Sequence, residues 1–173
     1  MQIAIVTVSD RASRGQYEDL SGPAIEDWLK EVITSPYQTV KRIIPDGMIS
    51  VRDELIRLCD EDQVDLILTT GGTGPAPRDE TPEAMREVLV KELPGFGEQL
   101  RRASLKQTPT AILSRQTAGT RGKTLIINLP GKPSSIRFSL DTIFAAVPYC
   151  LDLIGAGRIE TDPARIKAFR PAS

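Results

Sequence analysis

Three aspartates stand close behind apolar runs in this chain. Asp10 follows Ile3 to Val8, Asp46 follows Thr39 to Ile44 inside Pro45-Asp46-Gly47, and Asp79 ends the stretch Thr69-Thr70-Gly71-Gly72-Thr73-Gly74-Pro75-Ala76-Pro77-Arg78-Asp79. Glycine-rich backbone ahead of a helix start exposes N–H groups to an anion, and Thr81-Pro82-Glu83 reads as that start. The other reading of the glycines is a tight connection that permits close packing. The stretch is not a Walker A loop, having no Gly-Lys-Ser/Thr end. Nor is it the dinucleotide fingerprint, because Pro77 stands where the third glycine would be.

Asp46 fits an ordinary turn and Asp79 fits a cap near the following helix. Two carboxylates beside a phosphate would instead repel it unless a divalent cation bridges them. Leu129-Pro130-Gly131-Lys132-Pro133-Ser134-Ser135 offers one lysine and two hydroxyls ahead of a further helix. That suits an anion as well as plain turn-and-cap chemistry. Ser114-Arg115 and Arg121-Gly122-Lys123 place three cations around a polar segment, which taken alone is a solvated surface.

The chain contains no histidine. A Ser-His-Asp or Cys-His device within one chain is therefore excluded, as is a histidine-ligated zinc site. Any general base or metal ligand must be a carboxylate, and any cation a hard, oxygen-seeking one such as Mg²⁺.

The elements that must position these groups are read from hydrophobic periodicity. Ile3 to Val8 is a nearly continuous apolar run, the pattern of a parallel strand covered on both faces. Ser9 to Gly15 reads as a polar loop. A helix follows, capped by Ser21 with Pro23 in its first turn and Ile25, Trp28, Leu29 and Val32 as its stripe. Thr39 to Ile44 is the second strand. Ser50 opens a helix with Val51, Leu55, Leu58 and Cys59 buried, and the strand of Leu66 to Leu68 leads into the glycine stretch.

Beyond the helix at Thr81, Leu93 to Gly97 interrupts and a helix runs from Glu98 to Leu105. Pro109 to Leu113 reads as extended and Ser114 to Gly122 as loop. Lys123 to Leu129 is a strand, and Ser134 or Ser135 opens a long helix that Pro148 kinks or ends. A short helix over Pro163 to Phe169 closes the chain. The alternation implies a single domain over residues 1–173, a three-layer α/β/α sandwich with a mostly parallel sheet. Ligands in such folds sit at the carboxyl ends of strands, where Asp10, Asp46 and Asp79 would converge.

Composition narrows the class. With 40% hydrophobic and 26% charged residues the chain is an ordinary globular one, and its net charge of −1 supplies no electrostatic basis for nucleic-acid binding. No apolar run approaches the ~20 residues that cross a bilayer. The first ten residues lack the basic region of a signal peptide and read as a strand. Cys59 and Cys150, far apart and in apolar pattern, read as buried thiols of a reducing cytoplasm, the expected location.

Taken together, Thr69 to Ala84, Val8-Ser9-Asp10-Arg11-Ala12-Ser13, Pro94 to Glu98, Ile112-Leu113-Ser114-Arg115 and Asn128 to Pro133 resemble, in order, the signatures of the molybdopterin adenylyltransferases of molybdenum cofactor biosynthesis. The resemblance runs from about Ile3 to Phe169, with the segment between Ser135 and Pro148 short for the family. It implies transfer of the adenylyl group of ATP to the terminal phosphate of molybdopterin, with Mg²⁺ and release of pyrophosphate. Asp46 and Asp79 match the functional aspartates: Asp79 would hold the metal, and Asp46 would either hold it too or orient the pterin by accepting hydrogen bonds from its N–H groups. Gly71, Gly72, Thr73 and Gly74 match the ATP motif, with Arg78 beside it. Ser9, Asp10, Ser114, Asn128, Pro130, Gly131 and Lys132 fall on the pterin side. The resemblance also implies a homotrimer and a downstream molybdate-inserting enzyme as partner. A non-catalytic molybdopterin-binding scaffold of the same fold is the competing reading.

Overall fold

The computed structural model describes residues 1–172. Its strands are β1 (Gln2–Val8), β2 (Gln38–Ile44), β3 (Leu66–Thr70), β4 (Lys91–Glu92), β5 (Ala118–Arg121) and β6 (Thr124–Leu129). They form one sheet in the order β2-β1-β3-β6-β5-β4. Neighbours among β2, β1, β3 and β6 pair in parallel, while β5 runs antiparallel to both β6 and β4.

Side chains alternate across a pleated strand, and two cores follow. Ile3 and Ile5, Leu66 and Leu68, and Leu125, Ile127 and Leu129 face one side. There they meet α2 (Ser21–Val32), α5 (Pro94–Ser104), α6 (Pro133–Ile143) and α7 (Val147–Ile154). Ala4, Val6 and Val8, Ile67 and Ile126 face the other, against α3 (Met48–Asp60) and α4 (Thr81–Val88). This is the α/β/α sandwich expected from the alternation. Each fully buried Leu or Ile contributes roughly 1.5–3 kcal/mol of burial, so the central strands are the most costly part of the chain to disturb. Trp28 locks α2 to α6: its ring meets Phe144 edge-on at 4.7 Å and its Nε1 donates to Asp141 Oδ1 at 2.8 Å.

Several local expectations are corrected. Residues 10–13 form a short helix, α1 (Asp10–Ser13), because the Ser9 hydroxyl accepts from the Ala12 N–H at 3.2 Å. Ser21 does not cap α2. Asp19 does, taking the N–H groups of Ser21 and Gly22 at 3.0 Å each. Helix α3 starts at Met48, ahead of Ser50, since Glu80 from a later loop accepts the Met48 N–H at 2.9 Å. Pro94 and Gly95 lie inside α5, where a first-turn proline needs no N–H partner.

Pro109–Leu113 is a 3₁₀ turn, not an extended segment. The stretch read as loop from Ser114 contains β5, whose pairing to β6 is tertiary and leaves little mark on four residues. The last long helix begins at Pro133 and ends at Ile143. A short 3₁₀ turn, Phe144–Ala146, then leads to α7, which Pro148 opens. Residues 163–165 form a turn, with no helix through Phe169.

Candidate active site

Parallel register brings four strand ends to one edge: Thr7 pairs with Ile43 and with Thr70, and Thr70 pairs with Leu129. Of the neighbouring strands β1 and β3, the chain leaves β1 for α2 on one face of the sheet and leaves β3 for α4 on the other. The gap between β1 and β3 is therefore a topological switch point, where open α/β sheets bind ligands.

The glycine stretch leaves β3 at that point. Gly71 and Gly72 have φ of +100° and +63°. A Cβ on Gly71 would stand 2.3 Å from the Val8 carbonyl, and one on Gly72 2.3 Å from Thr81 Oγ1. Both positions are thus closed to side chains on two grounds. Thr81 fastens the turn, its hydroxyl donating to Gly71 O at 3.1 Å and its N–H to Gly72 O at 3.0 Å. Its place ahead of Pro82 marked only a helix start in the sequence.

The carboxylates of Asp46 and Asp79 adjoin this turn. Asp46 Oδ1 lies 3.4 Å, and Asp79 Oδ2 2.7 Å, from where a Cβ on Gly72 and on Gly74 would be. Asp46 Oδ2 accepts the Asp10 N–H at 2.7 Å, and Asp79 Oδ2 accepts the Ala76 N–H at 3.1 Å. Burial pushes the Asp46 carboxyl above its usual range, and the negative charges of Asp10 and Asp79 push the same way. Asp10 moves oppositely. Hydrogen bonds from Arg78 Nε at 3.0 Å and Nη2 at 2.9 Å hold its carboxyl low. Arg78 Nη2 also donates to the Asp46 carbonyl at 2.6 Å. The loops after β1, β2 and β3 therefore meet through one guanidinium.

The loop after β6 touches the same turn. Thr70 Oγ1 donates to Pro130 O at 2.7 Å, Ser21 Oγ donates to Gly131 O at 2.9 Å, and a Cβ on Gly131 would lie 3.2 Å from Gly71 Cα. Two cavities flank this junction. One of about 160 Å³ is lined by Thr7, Ser9, Arg11, Tyr17, Gly71 and Gly131 among others. The second, about 290 Å³, lies between the glycine loop and the β6 loop and is lined by Thr73, Gly74, Arg101, Ser114, Gln116, Pro130, Gly131 and Lys132 among others. A third, about 510 Å³, is bounded by Asp46, Gly47, Met48, Arg78 and Glu80 with Ile49 and Ser50.

Most of the residues singled out from sequence come together here. Ser9 caps α1 beside the first cavity and Asp10 sits in the Arg78 clamp. Asn128 differs. It is fully buried, donating from Nδ2 to Thr69 Oγ1 at 3.0 Å and accepting the Thr117 N–H at 3.4 Å, and it lines neither flanking cavity. Gln116, itself buried, lines the second cavity in its place and accepts the Ser114 hydroxyl through its Oε1 at 2.7 Å. Arg115 belongs, by sequence, to a charged surface run. It instead donates from its N–H to Thr73 O and from Nε to Gly74 O at 2.9 Å each, and reaches Asp79 O and Glu83 with its other nitrogens. Nothing in its spacing marked it, because its partners lie more than thirty residues away.

The donor set suits a hard cation. Asp46 and Asp79 offer oxygen alone; burial first, and the charges of Asp10 and Asp79 second, raise the Asp46 carboxyl, and a divalent ion would offset that cost of its charge. Among the described residues no cluster of three or more acidic, cysteine or histidine side chains could hold a metal. Ligand phosphate oxygens would have to complete the coordination.

Comparison with known proteins places the chain in a family. A family model described as a "probable molybdopterin binding domain" matches residues 4–149. The chain is 54% identical over 171 residues to a molybdopterin adenylyltransferase of Helicobacter pylori J99, covering 99% of this chain and 97% of that one. It is 46% identical to the molybdopterin adenylyltransferase of Escherichia coli K12 over 185 aligned positions, covering 100% and 95%. The molybdopterin biosynthesis Mog protein of Mycobacterium ulcerans superposes with a TM-score of 0.79 at 42% identity, covering 88% of this chain and 98% of that one. With a family model over residues 4–149 and relatives 46–54% identical over nearly the whole length, the chain belongs to the molybdopterin-binding family of molybdenum cofactor biosynthesis proteins.

Proposed function

We propose that the protein is a molybdopterin adenylyltransferase, an enzyme of molybdenum cofactor biosynthesis that moves the adenylyl group of ATP onto the terminal phosphate of molybdopterin. A phosphate oxygen of the pterin attacks the α-phosphorus of ATP, the bond from that phosphorus to the β-phosphate oxygen breaks, and pyrophosphate leaves. The nucleophile is already anionic at neutral pH, so no histidine base is required. The observation that carries the reading is the placement of the Asp46 and Asp79 carboxylates against one glycine turn at the sheet's switch point.

The difficulty of the step is bringing anions together, so catalysis rests on positioning and charge. Gly71, Gly72, Thr73 and Gly74 would face the triphosphate. Asp79, with Asp46, would hold Mg²⁺, which when bound neutralises phosphate oxygens. Lys132 stands at the open start of α6, which has no side-chain cap, and would meet the pterin phosphate there with Gly131 and Ser114. Arg78, already committed to Asp10, would offset charge only indirectly. Ser9, Asp10 and Pro130 would lie on the pterin side, Ser9 lining the first cavity and Pro130 the second, and Asn128 would support them from inside the sheet.

The adenylylated product would pass to a molybdate-inserting enzyme in the cytoplasm. No helix among the described residues is long and apolar enough to cross a membrane. A homotrimer is the assembly the family resemblance implies, and exposed Val90 and Phe169 provide apolar surface for it. Incubating the purified protein with ATP, Mg²⁺ and molybdopterin tests the reading. Pyrophosphate and an adenylylated pterin are expected. Pterin binding without pyrophosphate would identify a scaffold instead. Sedimentation velocity gives the copy number.

A further inference from the structure

We propose that Arg115 is a positioning residue for Asp79, tying the segment that carries Ser114 to the loop that carries the carboxylate. The proposal deepens the adenylyl-transfer reading above and rests on it.

Four donors of this one residue converge on a single loop and the first turn of the helix that follows it. The N–H reaches Thr73 O and Nε reaches Gly74 O, at 2.9 Å each, Nη2 reaches Asp79 O, and Nη1 reaches Glu83 Oε1. Residues 71–80 contain neither helix nor strand, so they have no regular ladder to fix their carbonyls. Arg115 supplies that fixing from outside. A planar fork with donors in set directions can serve the Gly74 and Asp79 carbonyls and a carboxylate at once, which a lysine ammonium cannot.

The second observation concerns Glu83. Its Oε2 is buried without a hydrogen-bond partner, the one such side-chain atom among the described residues. A half-satisfied carboxylate is costly, and beyond its own main-chain amide the Glu83 carboxylate has as partners Arg115 and, at 3.5 Å, Arg86. Arg115 holds the Glu83 carboxyl below its ordinary value, so the pair is charged at neutral pH. The arrangement fits a strut whose purpose is to keep the guanidinium, and through it the Asp79 main chain, in one place.

Arg115→Ala and Arg115→Lys, each alone and combined with Asp79→Ala, test this. Arg115→Ala is expected to lower kcat by about 30-fold or more while KM for ATP stays within about threefold. In the Asp79→Ala background the same change should cost less than about threefold, because two residues acting through one device are not additive. Arg115→Lys should not restore kcat. Independently of turnover, hydrogen exchange at the Ala76 amide, which bonds the Asp79 carboxylate, should quicken at least about tenfold in both Arg115 variants, with core amides of β3 unchanged. Equal losses in both backgrounds, or unchanged exchange at Ala76, would overturn the proposal. Should Arg115→Ala not fold, Arg115→Lys, which keeps charge and stem, carries the exchange measurement. If the wild-type protein releases no pyrophosphate the adenylyl-transfer reading fails, whereas the exchange result still judges the strut.

Discussion

The Asp10 N–H donates to Asp46 Oδ2 at 2.7 Å, joining the first turn after β1 to the turn after β2. The bond leaves Asp46 Oδ1 turned toward Gly72. One carboxylate is thereby aimed by a residue thirty-six positions away, and it is held where burial and two neighbouring aspartates oppose its charge.

Asp46→Asn should stabilise the free protein at neutral pH and reduce its activity. The Asp46 carboxyl is raised above 3.8 in the native state, so that state binds the proton more tightly than the unfolded chain. Stability tied to this group is therefore lost as pH rises through the window just above 3.8. An amide keeps the acceptor for Asp10 and removes the charge. A Tm gain of roughly 1–3 °C at pH 7 is expected, and a Tm loss in thermal unfolding would contradict the account.

Asp79→Ala should leave Tm nearly unchanged and cut adenylyl transfer by about 100-fold, equivalent to roughly 2.7 kcal/mol of barrier. The carboxylate's one protein partner is the Ala76 N–H of its own loop. Pyrophosphate release at saturating Mg²⁺ measures it, and a rate within about tenfold of wild type would remove Asp79 from the chemistry.

Gly72→Ala is expected to destabilise by about 2 kcal/mol or more. It combines a left-handed residue, worth roughly 1 kcal/mol or above, with a methyl carbon 2.3 Å from Thr81 Oγ1. Urea unfolding reads the loss. Pairing it with Thr81→Ala should recover part, because the clash is with that hydroxyl.

Lys132→Ala and Asn128→Ala should separate ligand contact from scaffold. Lys132 is exposed at the cavity edge, so its loss should raise the KM for molybdopterin several-fold with little change in Tm. Asn128 is buried and bonded to Thr69 and Thr117, so its loss should cost about 1–3 kcal/mol of stability. Denaturation and steady-state kinetics on the two variants would show the effects crossing over.

What could be read from sequence was whatever is local. Continuous apolar runs at Ile3 to Val8 and Leu66 to Leu68 announce covered parallel strands, and their alternation with helical stripes implies the sandwich. The glycines at 71 and 72 and the aspartates at 46 and 79 were visible because strand ends in such sheets carry ligand loops. The start of α3 and the cap of α2 were misplaced because Glu80 and Asp19 do the capping, and Glu80 arrives from another loop. Strand β5 was missed because four residues with a glycine carry no periodic pattern until β6 pairs with them.

By itself, then, the sequence determined the layers, the edge of the sheet that bears the chemistry, and a donor set of carboxylates and glycine backbone without histidine. The tertiary structure alone decided which groups share a contact. It clamps Asp10, Asp46 and Arg78 together, withdraws Asn128 into the sheet, and turns Arg115 from surface charge into a fastening of the Asp79 loop. The reason is physical. Strand and helix periods are short-range and leave their mark within a few residues, whereas these bonds join groups 32 to 68 positions apart that meet only when the parallel strands come into register.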